Sequence, residues 1–243
     1  MKTAAVLLGA GRGRRAGGPK QFRRVAGRTL LEHAADGLLE LREIGGLVVV
    51  VPATEVEAVR KGFARTAWSR PISVVAGGAT RHLSSRAGVA ALPPEVERVL
   101  IHDAARPFAS VRLIRRLLRA LRDPAVAGVI PAVDVHDSTV LVEGRGGRRL
   151  KEYLPRERLR AVQTPQAFRA AALREAFARS RGRDFCDDAI VLRRRGLRVD
   201  VVEGERENRK ITTADELESA LRELRSRGAS KARRRRSIPG ESA

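Results

Sequence analysis

The hydrophobic residues of this chain fall into two alternating kinds of segment. Short continuous runs at residues 4–8, 47–51, 72–75, 99–101, 126–135 and 197–202 are rich in Val, Ile and Leu and show little polar alternation. Such runs predict strands covered on both faces, as in a parallel sheet. Between them, residues 29–39, 55–64, 82–92, 111–121, 169–179, 187–194 and 214–225 carry apolar positions at helical spacing. Strand and helix take turns along the chain. The pattern therefore predicts an α/β fold of the Rossmann-like kind, a mainly parallel twisted sheet flanked by helices. Ligands of such sheets sit beyond the carboxyl ends of the strands, so function is expected in the loops that follow strands.

Two stretches break the alternation. Residues 137–156 are polar, with Gly144, Gly146 and Gly147 between short β-like pieces, and predict a projecting β-hairpin arm. Residues 227–243 are basic with Ser, Gly and Pro, and predict a disordered tail after a single domain spanning residues 1–226. No apolar run approaches the roughly 20 residues that span a bilayer. The first apolar run meets a glycine cluster too early for a secretory signal. The single Cys186 excludes an internal disulfide and fits a reducing cytoplasm.

Charge complicates this picture. The 243 residues carry a formal net charge of +21, which suggests a polyanionic partner. Residues 227–243 account for +5 of it, from Arg227, Lys231 and Arg233 to Arg236 against Glu241. The remainder is spread along the chain, and no basic motif interleaved with aromatics for stacking bases is present. Nucleic-acid contact is therefore expected to be nonspecific and confined to the tail. Only six of the 49 basic residues are lysines, so a lysine in a candidate site marks a place where a compact point charge is used instead of a planar fork.

The densest candidate chemistry follows the first predicted strand. Gly9-Ala10-Gly11-Arg12-Gly13-Arg14-Arg15 leads through Gly17-Gly18-Pro19 to Lys20. Glycines let backbone N–H groups approach phosphate closely, and Arg15 and Lys20 add positive charge. The Walker pattern is absent. Gly11, Gly13 and Ala16 match one version of the dinucleotide fingerprint, but Gly17-Gly18-Pro19 opposes the helix that fingerprint requires. A triphosphate-binding loop is the preferred reading over an ordinary glycine-rich turn.

At this point a family resemblance emerges. The glycine loop with Pro19-Lys20-Gln21-Phe22 and Leu30-Leu31-Glu32-His33 resembles the methylerythritol phosphate cytidylyltransferases of the sugar-nucleotidyltransferase superfamily. Gly77-Gly78 with Arg81 and Ser84, then His102-Asp103-Ala104-Ala105-Arg106-Pro107, agree in order and spacing. So do Asp137-Ser138, Gln163-Thr164-Pro165-Gln166, Asp187-Asp188-Ala189 and the segment from Val202 to Thr212. The resemblance covers residues 3–225.

It implies attack by a polyol phosphate oxygen on the α-phosphorus of CTP, with release of pyrophosphate. Arg15 and Lys20 correspond to transition-state stabilisers. Gly9, Ala10, Gly11, Gly13, Gly78, Ser84, Asp103 and Ala104 are implied in CTP binding, with Gly78 and Ser84 at the cytosine. Asp103, Arg106, Ser138, Arg156, Thr164 and Lys210 are implied in holding the polyol phosphate, Arg156 and Lys210 also as catalytic cations. The implied cofactor is Mg²⁺, held mostly by triphosphate oxygens and water with Asp103 as the candidate protein ligand. The implied assembly is a homodimer in which the arm brings Ser138 and Arg156 to the neighbouring site.

The sequence departs from the family pattern at Ala79, where many members carry a polar or acidic residue, and at Val140, where a lysine is frequent. His33, His82, His102 and His136 lack metal-ligand spacing and are expected to be structural. Asp187-Asp188 reads as a helix start. Competing functions are a ribitol 5-phosphate cytidylyltransferase and a nucleic-acid-binding protein using the basic tail.

Overall fold

The structure is a computed structural model. It describes residues 2–236 except Arg12, residues 14–17, Ala67, Arg145 and residues 181–182, with side chains described as far as residue 227. The chain opens with strand β1 (Thr3–Leu8), followed after the glycine loop by the two short strands β2 (Arg24–Val25) and β3 (Arg28–Thr29) and helix α1 (Leu30–Leu39). Then come β4 (Leu47–Val51), α2 (Val56–Ala64), β5 (Ile72–Ala76), α3 (Arg81–Ala90), β6 (Arg98–Asp103), α4 (Val111–Ala120) and β7 (Gly128–Asp134). The second half adds β8 (Thr139–Val142), β9 (Leu150–Leu154), β10 (Arg160–Val162), β11 (Gln166–Arg169), α5 (Ala170–Ala178), α6 (Asp188–Arg193), β12 (Val199–Glu203) and α7 (Ala214–Arg236).

The main sheet has the order β10-β7-β11-β6-β1-β4-β5, with β12 also paired to β7. Strands β6, β1, β4 and β5 run parallel. The alternation of side chains explains why central β4 is apolar throughout. Leu47, Val49 and Val51 enter one core with Leu31 and Leu38 of α1 and Leu113, Ile114 and Leu117 of α4. Val48 and Val50 enter the other with Leu173 and Phe177 of α5 and Leu192 of α6. Each residue of β4 thus has a helix layer to meet, whichever face it takes. The helices begin where side chains can replace missing backbone partners. Thr29 and Glu32 form a reciprocal capping box at α1, and the Ser110 hydroxyl accepts the Leu113 N–H at α4.

Two features depart from the sequence expectations. Strands β10 and β11 were not foreseen and run antiparallel to β7, with β11 also antiparallel to β6. Their segments are short and carry Arg160, Gln163, Gln166 and Arg169, which mask the strand pattern. The tail expected to be disordered from residue 227 instead continues α7 as far as Arg236. Ala, Lys and Arg are strong helix formers, and Arg227 pairs with Glu223 one turn earlier. Residues 237–243 lie outside the described residues. The expected hairpin is present as β8 and β9, which pair antiparallel in a two-stranded sheet of their own.

Strand β1 lies between β4 and β6, and the chain crosses from one side of it to the other. This is a topological switch point, and a crevice opens beyond the carboxyl end of β1.

Candidate active site

A cavity of about 580 Å³ occupies that crevice. Its floor is backbone. The Gly9 N–H donates to the Val50 carbonyl at 2.7 Å, the Gly77 N–H to Val51 at 2.8 Å and the Ala104 N–H to Leu8 at 2.9 Å, so the ends of β1, β4, β5 and β6 are tied together under it. Gly9, Ala10, Gly11, Gly13, Gly78, Ser84, Asp103 and Ala104, the residues expected around CTP, all line the cavity. Lys20 and Lys210 line it too. Arg15 lies outside the described residues.

Two glycines are dictated by space. Gly13 has φ +61°, and a Cβ there would stand 1.7 Å from the Gly18 carbonyl oxygen. A Cβ on Gly78 would stand 2.3 Å from Leu83 Cβ, in the first turn of α3. The close approach of residue 78 to α3 leaves its backbone accessible from the cavity. Ser84 is not the cap of this helix. Thr80 caps it, accepting the Leu83 N–H at 3.2 Å, while the Ser84 hydroxyl donates to the Thr80 carbonyl at 2.9 Å.

The charged centre is Asp103, at the end of β6 and only 8% exposed. One carboxylate oxygen accepts from Lys210 Nζ at 2.7 Å, the other from Arg81 Nε at 3.2 Å. Arg81 Nη1 donates to buried Asp188 at 2.7 Å. Burial alone would raise the Asp103 carboxyl. The Arg81 and Lys210 cations outweigh it and hold Asp103 well below the usual carboxylate range. Asp188 behaves oppositely: burial outweighs Arg81 and raises it. Asp187 caps α6, accepting the Ala189 N–H at 2.8 Å, which bears out the reading of this pair as a helix start.

A second layer of hydrogen bonds fixes Asp103. Its backbone N–H donates to Thr164 Oγ1 at 3.0 Å, and the same hydroxyl lies 3.0 Å from His102 Nδ1. His102 Nε2 lies 2.9 Å from the Arg106 carbonyl, which can only accept. The ring therefore carries its proton on Nε2, and Thr164 donates to Nδ1. Burial pushes the His102 imidazolium down to about 4, so the ring is neutral. A histidine with a lowered folded value stabilises the fold above its unfolded value, and that contribution is lost as pH falls. We expect stability to drop by on the order of 3 kcal/mol between pH 6.5 and 4 from this group. Denaturant titrations of His102→Gln across that window should show a shallower slope, and an unchanged slope would remove His102 from the acid response.

Thr164 and Arg106, both expected at the polyol phosphate, support the Asp103 centre: Thr164 is buried behind it, and neither is among the residues that line the cavity. Arg106 Nη1 donates to the Asn208 carbonyl at 2.7 Å and Nη2 to Val162 at 3.3 Å. Asn208 Nδ2 donates to the Thr164 carbonyl, and the Gln163 side chain makes two bonds to the Glu205 backbone. These bonds hold the loop that presents Lys210. Ser138 and Arg156 sit at the base of the hairpin, exposed and away from this chain's own cavity, with Arg156 Nη1 3.4 Å from the His136 carbonyl. The ion-pairing role of Arg81 was missed as a chemical feature. Its partners lie 22 and 107 residues away, so no local pattern signals it.

No helix among the described residues is long and apolar enough to cross a membrane, and no group of three His, Cys, Asp or Glu residues among them could hold a metal ion.

Residues 3–226 match the sequence profile of IspD, 2-C-methyl-D-erythritol 4-phosphate cytidylyltransferase. The chain is 43% identical over 230 residues to a bifunctional IspD/IspF enzyme of Maricaulis maris, covering 93% of this chain and 58% of that one. It spans little more than half the length of the curated relatives it matches. Among solved structures, 4-diphosphocytidyl-2C-methyl-D-erythritol synthase from Anaerococcus prevotii superposes with a TM-score of 0.79 at 29% identity, covering 92% of this chain and 98% of that one. The 2-C-methyl-D-erythritol 4-phosphate cytidylyltransferase of Thermus thermophilus gives a TM-score of 0.71 at 34% identity, with 90% and 98% covered. The glycine loop, the Asp103 centre and these likenesses together show that the chain belongs to the 2-C-methyl-D-erythritol 4-phosphate cytidylyltransferase (IspD) family.

Proposed function

We propose that this chain transfers a cytidylyl group from CTP to 2-C-methyl-D-erythritol 4-phosphate, releasing pyrophosphate, as a step in non-mevalonate isoprenoid precursor biosynthesis. The observation that carries the reading is the meeting of Lys20 and Lys210, from opposite ends of the sequence, around one backbone-lined cavity with Asp103 at its edge. A phosphate monoester is already largely dianionic near neutral pH, since its second pKa is about 6. It needs no strong base. It needs its repulsion from the triphosphate reduced and the charge on the transferring group stabilised.

Lys20 supplies charge beside the loop that takes the triphosphate, and Arg15 is its proposed companion. Lys210 faces the incoming phosphate. Gly78 and Ser84 offer backbone and hydroxyl groups to the cytosine edge, in a recess whose close walls favour a pyrimidine. The hard carboxylate oxygens of Asp103 fit Mg²⁺, which when bound supplies further charge neutralisation between the phosphates. Asp103 also orients Lys210 through their 2.7 Å pair.

Ser138 and Arg156 fit a site shared between two copies of the chain. The hairpin that carries them exposes Leu141, Leu150 and Tyr153, the last at 67%. A two-stranded hairpin is marginal alone, and these exposed apolar side chains support the homodimer reading, in which a second copy would cover them. The free, exposed Cys186 suits a reducing cytoplasm.

Steady-state assays with CTP and the two candidate polyol phosphates test the assignment. Preference for ribitol 5-phosphate would replace the substrate named here. In the same assay, Lys210→Ala should raise KM for the polyol phosphate by roughly tenfold or more while CTP still raises the Tm. Equal loss of both substrates would place Lys210 at the nucleotide instead.

A further inference from the structure

Gln21 follows Lys20 in a single 3₁₀ turn and is 5% exposed. Its carboxamide nitrogen donates to the Gly9 carbonyl at 2.7 Å and to the Gly11 carbonyl at 2.8 Å. Both hydrogens of the amide are therefore spent on the loop that leaves β1. A glycine loop has many accessible backbone states, and a loop that receives a triphosphate must not turn its carbonyl oxygens toward it. Gln21 engages two of those oxygens. Because a trans peptide sets N–H opposite C=O, fixing the Gly9 carbonyl also fixes the Ala10 N–H, and Ala10 lines the cavity. The same residue anchors the turn that carries Lys20, whose backbone N–H donates to Gly18 at 2.8 Å. One side chain thus couples the start of the loop, its middle and the lysine at its end.

We propose that Gln21 is a positioning residue: by bonding the Gly9 and Gly11 carbonyls it holds the glycine loop in the form that accepts the CTP triphosphate and sets Lys20 beside it. This rests on the functional reading above, in which that loop binds CTP.

Two near-isosteric variants test it. Gln21→Met removes both donors. Gln21→Glu, when ionised, sets a carboxylate against two carbonyl oxygens, and when protonated restores one donor. With loop misplacement of the ångström kind, both variants should lose roughly 30-fold in kcat/KM for CTP at pH 7.5. The polyol phosphate KM should stay within about twofold, because Lys210 is held by an independent set of bonds. As pH is lowered toward 5, the deficit of Gln21→Glu relative to wild type should shrink while that of Gln21→Met stays constant. Lys20, Arg81, Asp103 and Lys210 are the charged groups that line the same cavity as Gln21, and they are the same in all three proteins.

A packing role alone would lower the Tm and leave turnover of the folded protein intact. That result, or a Gln21→Glu deficit unchanged with pH, overturns the proposal. If Gln21→Glu does not fold, Gln21→Met decides alone: folded protein with wild-type kcat/KM for CTP removes Gln21 from loop positioning. Wild-type protein is first heated with and without CTP and Mg²⁺. Absence of a Tm rise there overturns the functional reading itself, whereas a rise equal in wild type and both variants overturns only the role of Gln21.

Discussion

Lys20→Ala is expected to lower kcat by roughly 10²-fold, with a smaller change in KM for CTP. Such a loss corresponds to about 2.7 kcal/mol of transition-state stabilisation. The argument begins with composition: this chain fills basic positions with arginine almost everywhere, yet keeps lysine here. The structure then sets Lys20 on the wall of the cavity, at the far end of the loop begun by Gly9. A compact ammonium can follow charge as it moves onto the bridging oxygen between α- and β-phosphates. A planar guanidinium is built for two oxygens held still. Lys20→Arg should therefore recover only part of kcat, despite the same formal charge. Single-turnover measurements at saturating CTP check this directly. A near-wild-type rate in Lys20→Ala would exclude the residue from the chemical step.

Arg81→Leu is expected to be the most destabilising substitution at the site. The side chain bridges Asp103 and Asp188, and the Asp188 side chain is 1% exposed. Removing the guanidinium leaves Asp188 buried without its cation and leaves Asp103 with Lys210 alone. Breaking a buried pair in this way costs about 3 kcal/mol or more. For a domain of this size that corresponds to a Tm decrease of roughly 10 °C. Arg81→Leu combined with Asp188→Leu should recover much of the loss, because both buried charges of that pair then disappear. The single variant should also lose turnover, since Asp103 keeps one anchor where it had two. Thermal unfolding of the single and double variants, followed by circular dichroism, tests the coupling. Additive losses would show that Arg81 and Asp188 do not depend on each other.

The central strands were legible because each alternate residue finds a helix layer, leaving no polar positions to confuse the pattern. Residues 47–51 and the bounds of β4 coincide for that reason. Strands β10 and β11 carry no clear pattern because β10 is a short polar edge strand and β11, though inside the sheet, is only four residues long and bounded by Gln166 and Arg169. The loop side of the site was likewise readable. Glycines and a scarce lysine after a strand carry their chemistry locally, and Gly9 to Lys20 stand in one short stretch. The supporting network was not readable. Thr164 and Arg106 read as substrate contacts, and folding also sets Thr164 onto the Asp103 backbone and Arg106 onto the carbonyls of Val162 and Asn208, which no local pattern announces. A hydroxyl or guanidinium has the same sequence signature whether it meets a ligand or a buried peptide group. Only the folded neighbourhood separates the two.

The small apolar cluster of Val25, Leu30, Phe108, Ile211, Leu217, Ala220 and Leu224 joins the strand after Lys20 to α7. The two lysines are thereby brought to one cavity by segments almost two hundred residues apart. A chain cut before residue 210 would keep β1, β4, β5 and β6 with the glycine loop, but would lose Lys210 and the side chains that α7 gives to this cluster. One wall of the cavity thus depends on a clasp whose two halves lie at opposite ends of the domain.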